Sequence, residues 1–218
     1  MKALVITNGV LEDMALWQEE IGQAELVVAA DGGARHARSL GLRPHAVVGD
    51  GDSLDAETAR WLEEHGVPRV QYPATKDETD LELALLYAAR AGAGEILVLG
   101  AQGGRPDQML ANLLLLAHPA LAGCRVRLLG KNYQALVLRG GEEVTLTGQV
   151  GDTLSLLPLS EARGIEATGL RWTLRGATLH LGPARGVSNE LTSPQARIAL
   201  AEGLLLIVHL RQGQEARP

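Results

Sequence analysis

Apolar positions in the first half of the chain fall into short β-branched runs separated by amphipathic stretches. Ala3 to Thr7, Glu25 to Ala30, Ala46 to Val48, Val67 to Tyr72 and Glu95 to Gly100 predict strands. Between them, Met14 to Gly22, Ala34 to Leu40, Ala56 to His65, the stretch from Thr79 to about Ala91, and Asp107 to His118 predict helices. Gly66 fits a helix stop, Thr79 with Glu82 a capping box, and Pro106 a first helical position. Strands that alternate with helices form a largely parallel sheet covered on both faces. Right-handed crossovers then carry the loops after the strands to one sheet edge. Past His118-Pro119 the pattern changes. Arg125 to Leu129, Tyr133 to Arg139, Glu143 to Thr147, Thr153 to Leu159, Leu170 to Leu174, Ala177 to Leu181 and Arg197 to Leu210 are short alternating or apolar runs punctuated by glycines. Such runs without intervening helices predict a β-sandwich. The expected division is an α/β domain over residues 1–124 and an all-β domain over 125–218.

Composition narrows the function classes. Aromatic residues make up 3% with no Phe, so the core is expected from Leu, Val, Ile and Ala, and an aromatic in a loop stands out. The formal charge is −6 and the cations are scattered, which argues against a nucleic-acid groove, where clustered Lys and Arg neutralise phosphates. A single cysteine, Cys124, leaves no internal disulfide and suits a reducing compartment. The N-terminal apolar run is too short for a signal peptide, and no stretch reaches the roughly 20 apolar residues of a membrane span. A soluble cytoplasmic protein, with no membrane partner, is the expectation.

The candidate chemistry lies in the loops after the strands. Asp50 and Asp52 follow Val47-Val48 and, two residues apart in extended chain, project to the same side. Two carboxylates in one space oppose each other's ionisation and call for a proton or a cation. Hard oxygen ligands suit Mg²⁺. The same stretch also suits a strand-to-helix loop in which Ser53 or Asp55 caps the next helix. Asp31-Gly32-Gly33 ends another strand, as a ligand edge or as a turn. Lys76, Asp77 and Asp80 crowd a helix entrance, where the dipole favours carboxylates; metal plus phosphate would account for the lysine too. Arg105 beside a helix N-terminus makes an anion seat, with Asp107 as dipole partner, nucleotide contact or metal ligand. Neither common glycine-rich nucleotide loop is present. In the second half, Trp172 beside a turn is either a stacking platform or a core anchor, and Ser188-Asn189 lie in a polar loop.

Asp31-Gly32-Gly33, Gly49-Asp50-Gly51-Asp52-Ser53, Lys76-Asp77-Glu78-Thr79-Asp80 and Gly103-Gly104-Arg105-Pro106-Asp107-Gln108 stand in the order and approximate spacing of thiamine pyrophosphokinases. Thr168-Gly169-Leu170-Arg171-Trp172 and Ser188-Asn189 resemble that family's second-domain signatures. The resemblance spans nearly the whole chain. It implies a Rossmann-like three-layer α/β domain followed by a β-sandwich, a homodimer, and transfer of pyrophosphate from ATP to the hydroxyl of thiamine, leaving AMP. By the same resemblance Asp50, Asp52 and Asp80 would hold Mg²⁺ with Asp31 and Asp77 close by. Lys76 and Arg105 would contact phosphates, while Gly32, Gly33, Thr79, Asp107 and Gln108 would line the nucleotide site. Trp172 would stack on the thiamine pyrimidine, with Ser188 or Asn189 bonding its polar edge from across the dimer. Asp80 or Asp77 would accept the hydroxyl proton. Two alternatives stand beside this reading: a pyrophosphokinase for another alcohol such as a hydroxymethyl pterin, and a non-catalytic nucleotide- or thiamine-binding protein.

Overall fold

A computed structural model describes residues 1–73 and 75–212. The apolar runs of the first half become strands β1 (Lys2–Ile6), β2 (Leu26–Ala30), β3 (Ala46–Gly49), β4 (Arg69–Gln71), β5 (Glu95–Leu99) and β6 (Arg125–Leu129). They pair in parallel in the order β6-β5-β1-β2-β3-β4. Ile6, Val28, Val48 and Leu97 are fully buried, as strands covered on both faces require. Helices α1 (Gln18–Gly22), α2 (Gly33–Ser39), α3 (Ala56–Glu64), α4 (Asp80–Arg90) and α5 (Pro106–Leu115) alternate with them. Asp55 caps α3 by accepting from the Thr58 amide at 2.8 Å, and Thr79 caps α4 by accepting from the Glu82 amide at 3.2 Å. The helix expected over Met14 to Gly22 is split instead. A 3₁₀ turn over Ala15–Trp17 precedes α1 and delivers the Trp17 ring to the interior, where its indole N–H donates to the Gly130 carbonyl at 2.7 Å.

This strand order reverses beside β1. The chain runs outward from β1 to β4, then returns to lay β5 on the other side of β1. In open α/β sheets, a crevice for ligand opens beyond the carboxyl ends of the strands at such a reversal. Here the Thr7 amide donates to Leu99 O at 2.9 Å and its hydroxyl to Gly100 O at 2.6 Å, joining the two strand ends. A Cβ at Gly9 would collide with the carbonyls of Gly100 and Gln102, so only glycine permits this approach.

The chain divides into two compact units, Met1–Lys131 and Asn132–Pro218, rather than at the 124/125 boundary expected from the sequence. The difference is β6. No helix separates its run from the next strand, which in sequence groups it with the sandwich, but its register, Glu95↔Arg125 to Val98↔Leu128, is parallel to β5. Helix α5 is therefore its crossover.

The second unit contains β7 (Tyr133–Arg139), β8 (Glu143–Thr147), β9 (Thr153–Pro158), β10 (Ala162–Thr168), β11 (Leu174–Leu179), β12 (Asn189–Glu190), β13 (Gln195–Ala199) and β14 (Leu204–Leu210). They form two antiparallel arrays, β12-β9-β14-β7 and β11-β10-β13-β8. Leu136, Leu154, Leu156 and Ile207 from one array pack in a single core with Ile165, Leu179 and Ile198 from the other, which makes a sandwich. Three sequence expectations shift. Leu170 to Leu174 is mostly a turn, with one isolated β-bridge, Leu170↔Leu191, in place of a strand. The run Arg197 to Leu210 breaks into β13 and β14 at Gly203, whose φ of +97° and contact with Glu161 exclude a side chain. Strand β10 is absent from the sequence expectations, because Gly164 interrupts its alternation.

Candidate active site

The carboxyl edge of the parallel sheet collects most of the acidic loop residues. Asp31 leaves β2 with a φ of +43° and is 3% exposed; its Oδ2 accepts from the Ser53 amide at 3.0 Å. Asp31 Oδ1 is buried with no hydrogen-bond partner among the described residues. Asp50 follows β3, and its Oδ1 accepts from the Asp52 amide at 3.1 Å, while Ser53 Oγ donates to Asp52 Oδ1 at 2.8 Å. One oxygen each from Asp31, Asp50 and Asp52 lies within 4.8 Å of the others. Lys76 Nζ reaches Asp80 Oδ1 at 2.5 Å and Asp50 Oδ2 at 3.6 Å, so Asp80, the first residue of α4, joins the cluster through the lysine. Gly49 allows this crowding: a Cβ there would come within 2.8 Å of Asp31 Cβ and 3.1 Å of Asp80 Oδ1. Asp77 is exposed in the turn before α4.

The electrostatics follow from burial and neighbours. Burial pushes the Asp31 carboxyl above its usual range; hydrogen bonds from Ser53 oppose that, and the charges of Asp80 and Asp50 add to it. The amide of Asp52, followed by the Lys76 ammonium, holds Asp50 below the usual carboxylate range. Burial pulls the Lys76 pKa down, but Asp80 and Asp50 outweigh it and leave it raised. The cluster thus combines the Asp50 carboxylate, which ionises readily, a firmly charged ammonium and one buried carboxyl that resists ionisation.

Beside it a cavity of about 620 Å³ is lined by Thr7, Asn8, Asp31, Arg35, Thr79 and Gln108, among others. Gly33 is required here, since a Cβ would collide with Ile6 O, while a Cβ at Gly32 would displace the Asn8 side chain. Arg105 and Asp107 form an exposed pair at 2.5 Å at the start of α5, and that guanidinium holds the Asp107 carboxyl below its usual range.

In the second unit a separate cavity of about 850 Å³ is lined by Leu156, Arg171, Trp172, Arg185, Ser188 and Asn189, among others. Trp172 is 57% exposed, so it is not a core anchor. The Arg171 guanidinium lies 5.3 Å from the centre of this ring and pairs with Glu190 at 3.1 Å. Ser188 has a φ of +61°, and its amide donates to Ser155 Oγ at 3.1 Å. Among the described residues only Asp31 and Ser188 are non-glycine residues with positive φ, and both line these two cavities. Such conformations cost on the order of 1–3 kcal/mol and persist where the surroundings over-determine them, typically at functional sites.

Comparison with known proteins accounts for both halves. The family model described as thiamin pyrophosphokinase, catalytic domain, matches residues 17–128, and the one described as thiamin pyrophosphokinase, vitamin B1 binding domain, matches residues 143–205. The chain belongs to the thiamin pyrophosphokinase family. It is similar to the thiamine pyrophosphokinase of Bacillus subtilis, at 29% identity over 84% of this chain and 86% of that protein. The thiamine pyrophosphokinase 1 of Oryza sativa is 27% identical over 96% of this chain and 87% of its own. Among solved structures, the thiamine pyrophosphokinase of Bacillus subtilis superposes with a TM-score of 0.85 at 24% identity, covering 97% of this chain and 100% of that one, which supports the fold. That from Geobacillus thermodenitrificans gives 0.81 at 25% identity, covering 98% and 99%. The reaction this architecture serves is pyrophosphoryl transfer to thiamine. The B1-binding match over residues 143–205 does not favour the pterin alternative, and the catalytic-domain match does not favour the non-catalytic one.

Several cavity residues lie outside the sequence motifs. Thr7, Asn8 and Arg35 line the first cavity, with Arg35 donating to Asn8 Oδ1 at 3.1 Å. A signal for the first two exists in the sequence, because Thr7-Asn8 follows a strand in the same way as Asp31. Asn112, whose side-chain amide donates to Ala101 O at 2.8 Å, gives no such signal, being mid-helix. Arg185 in the second cavity is a single cation in a loop-rich region, which no spacing singles out. The acidic cluster fits a hard divalent cation: its donors are carboxylate oxygens, and the orphaned buried Asp31 Oδ1 is a ligand atom in want of a partner. The trio that meets is Asp31, Asp50 and Asp52, whereas the resemblance implies Asp80 in place of Asp31; Asp80 is turned to Lys76.

Proposed function

We propose that the chain transfers the terminal pyrophosphate of ATP to the hydroxyl of thiamine, releasing AMP, with Mg²⁺ held by Asp50 and Asp52 and by Asp31 or Asp80. The observation that carries this reading is the convergence of Asp31, Asp50 and Asp52 within 4.8 Å beside Lys76, at the edge of the cavity at the sheet reversal. A bound divalent cation would neutralise phosphate charge and orient the β- and γ-phosphates. Lys76 supplies a fixed positive charge, kept protonated by Asp80 and Asp50, where negative charge develops on the transferring group. The thiamine hydroxyl oxygen attacks the β-phosphorus, the bond from that phosphorus to the AMP oxygen breaks, and the hydroxyl proton passes to a carboxylate, Asp80 or Asp77. Arg105 makes a further phosphate contact, and Gly32, Thr79 and Gln108 line the nucleotide site, with Gly33 and Asp107 adjacent to them in the chain. In the second unit, Trp172 offers its exposed face to the pyrimidine and Ser188 its hydroxyl to the polar edge.

A homodimer with thiamine bound where two protomers meet is part of the same reading, as is a cytoplasmic location. No helix among the described residues is long and apolar enough to cross a membrane. The deciding experiment measures AMP released from Mg²⁺-ATP with and without thiamine. Thiamine-dependent AMP in equal amount to thiamine diphosphate is the expected result; AMP release indifferent to thiamine would overturn the acceptor assignment.

A further inference from the structure

The backbone that carries the exposed Trp172 side chain is tied to the segment from Asn189 to Leu191. The Asn189 side chain is 7% exposed and both its polar atoms are turned onto the backbone of Trp172. Asn189 Oδ1 accepts from the Trp172 amide at 3.0 Å, and Asn189 Nδ2 donates to the Trp172 carbonyl at 2.8 Å. The same Oδ1 also accepts from the Glu190 amide at 2.9 Å. One residue further along each segment the Arg171 amide donates to Glu190 O at 2.8 Å, and two residues along Leu170 bridges Leu191. Asn189 is itself anchored in β12, paired with Leu154 of β9. One amide side chain thus takes both backbone groups of the residue that carries the exposed indole.

We infer that Asn189 is a positioning residue for the thiamine site. It acts through the backbone of Trp172, presenting the ring at a fixed angle to the cavity, and does not itself bind the pyrimidine. This rests on the reading of Trp172 as the stacking platform. Ring angle matters because stacking depends on offset and interplanar geometry, and a ring free to swing loses part of that contact to ordering entropy. The carboxamide suits both bonds, since its one acceptor and one donor face one N–H and one C=O. Aspartate has the same shape but would set an oxygen against the Trp172 carbonyl.

A double-mutant cycle on the full-length protein tests this. Asn189→Ala is expected to raise the KM for thiamine about tenfold while the KM for ATP stays within about twofold, a loss of about 1.4 kcal/mol in thiamine binding. Asn189→Asp, which conserves shape, is expected to raise it as well and serves if the alanine variant does not fold. In a Trp172→Ala background either change is expected to add little, because the group through which Asn189 acts is gone. Additive effects in that background would show direct contact with thiamine and overturn the inference. A wild-type thiamine KM in Trp172→Ala alone would overturn the platform reading and the inference with it. A second readout needs no thiamine. With 5-fluorotryptophan at the three tryptophans, Asn189→Ala is expected to shift or broaden only the resonance that disappears in Trp172→Ala. An unchanged Trp172 resonance would overturn the positioning role while leaving the platform reading standing.

Discussion

His209 shows how a single buried group sets a pH limit on this protein. It lies fully buried in β14, with Nε2 at 3.0 Å from Asp152 Oδ2 and Nδ1 at 3.3 Å from the Gln134 side-chain amide. The neutral ring suits both: Nε2–H donates to the carboxylate and Nδ1 accepts from the amide. Burial lowers its pKa from 6.5, the Asp152 carboxylate opposes this only in part, and the Arg211 charge adds to the lowering. The unfolded chain therefore takes up the proton first on acidification. The stability from the neutral ring is complete above 6.5 and is lost as pH falls from there through the lower folded value. The wild-type thermal midpoint is expected to fall more steeply between about pH 7 and about pH 5 than that of His209→Gln, which cannot titrate there. Equal slopes would show that other groups govern acid sensitivity.

At the scale of elements, two helix caps have the same chemistry and different consequences. Asp55 caps α3 and Thr79 caps α4, each accepting from the amide three residues on. Replacing either by Ala is expected to lower unfolding free energy by about 1 kcal/mol, read from denaturant titration. The activities should diverge. The residue after Thr79 is Asp80, which holds Lys76 at 2.5 Å beside the acidic cluster, so fraying of α4 displaces a charge in the site. Asp55→Ala is expected to retain activity while Thr79→Ala loses about tenfold in kcat/KM, about 1.4 kcal/mol of transition-state stabilisation. Equal activity in the two would separate Asp80 from the chemistry. Both caps are readable from the sequence, because a cap is a contact across three residues. The pairing of β6 with β5 is not, since a lone apolar run carries no record of which edge it joins.

For the whole molecule, the proposed sharing of each site between two protomers has a consequence that a single protomer would not show. Asp52→Asn is expected to lose on the order of 10²-fold in activity with an unchanged unfolding midpoint, because it removes charge from the cluster. Trp172→Ala is expected to raise the thiamine KM. If each site combines the first unit of one protomer with the second unit of its partner, refolding the two variants together places both defects in one site and leaves the other intact. Assayed at low thiamine, the mixture should regain about a quarter of wild-type activity, since half the dimers are mixed and each has one good site. No recovery in a mixture shown by sedimentation to be dimeric would place both groups of each site on one chain.

The two halves of the chain, the alternation of the first, and the fact that each acidic loop follows a strand are properties of the sequence itself. They depend on side-chain period and turn chemistry, which act over a few residues. The cluster at Asp31, Asp50, Asp52, Lys76 and Asp80 is legible as a convergence for that reason. Its inner arrangement is decided by the tertiary structure. Asp31 turns toward Asp50 and Asp52 because its φ is +43° and Gly49 leaves it room, and Asp80 turns to Lys76. Likewise, nothing between residues 172 and 189 announces that Asn189 spends its side chain on the Trp172 backbone. Local propensity decides which element forms; the partner of a buried polar atom is decided by long-range packing, which brings together groups that are remote along the chain.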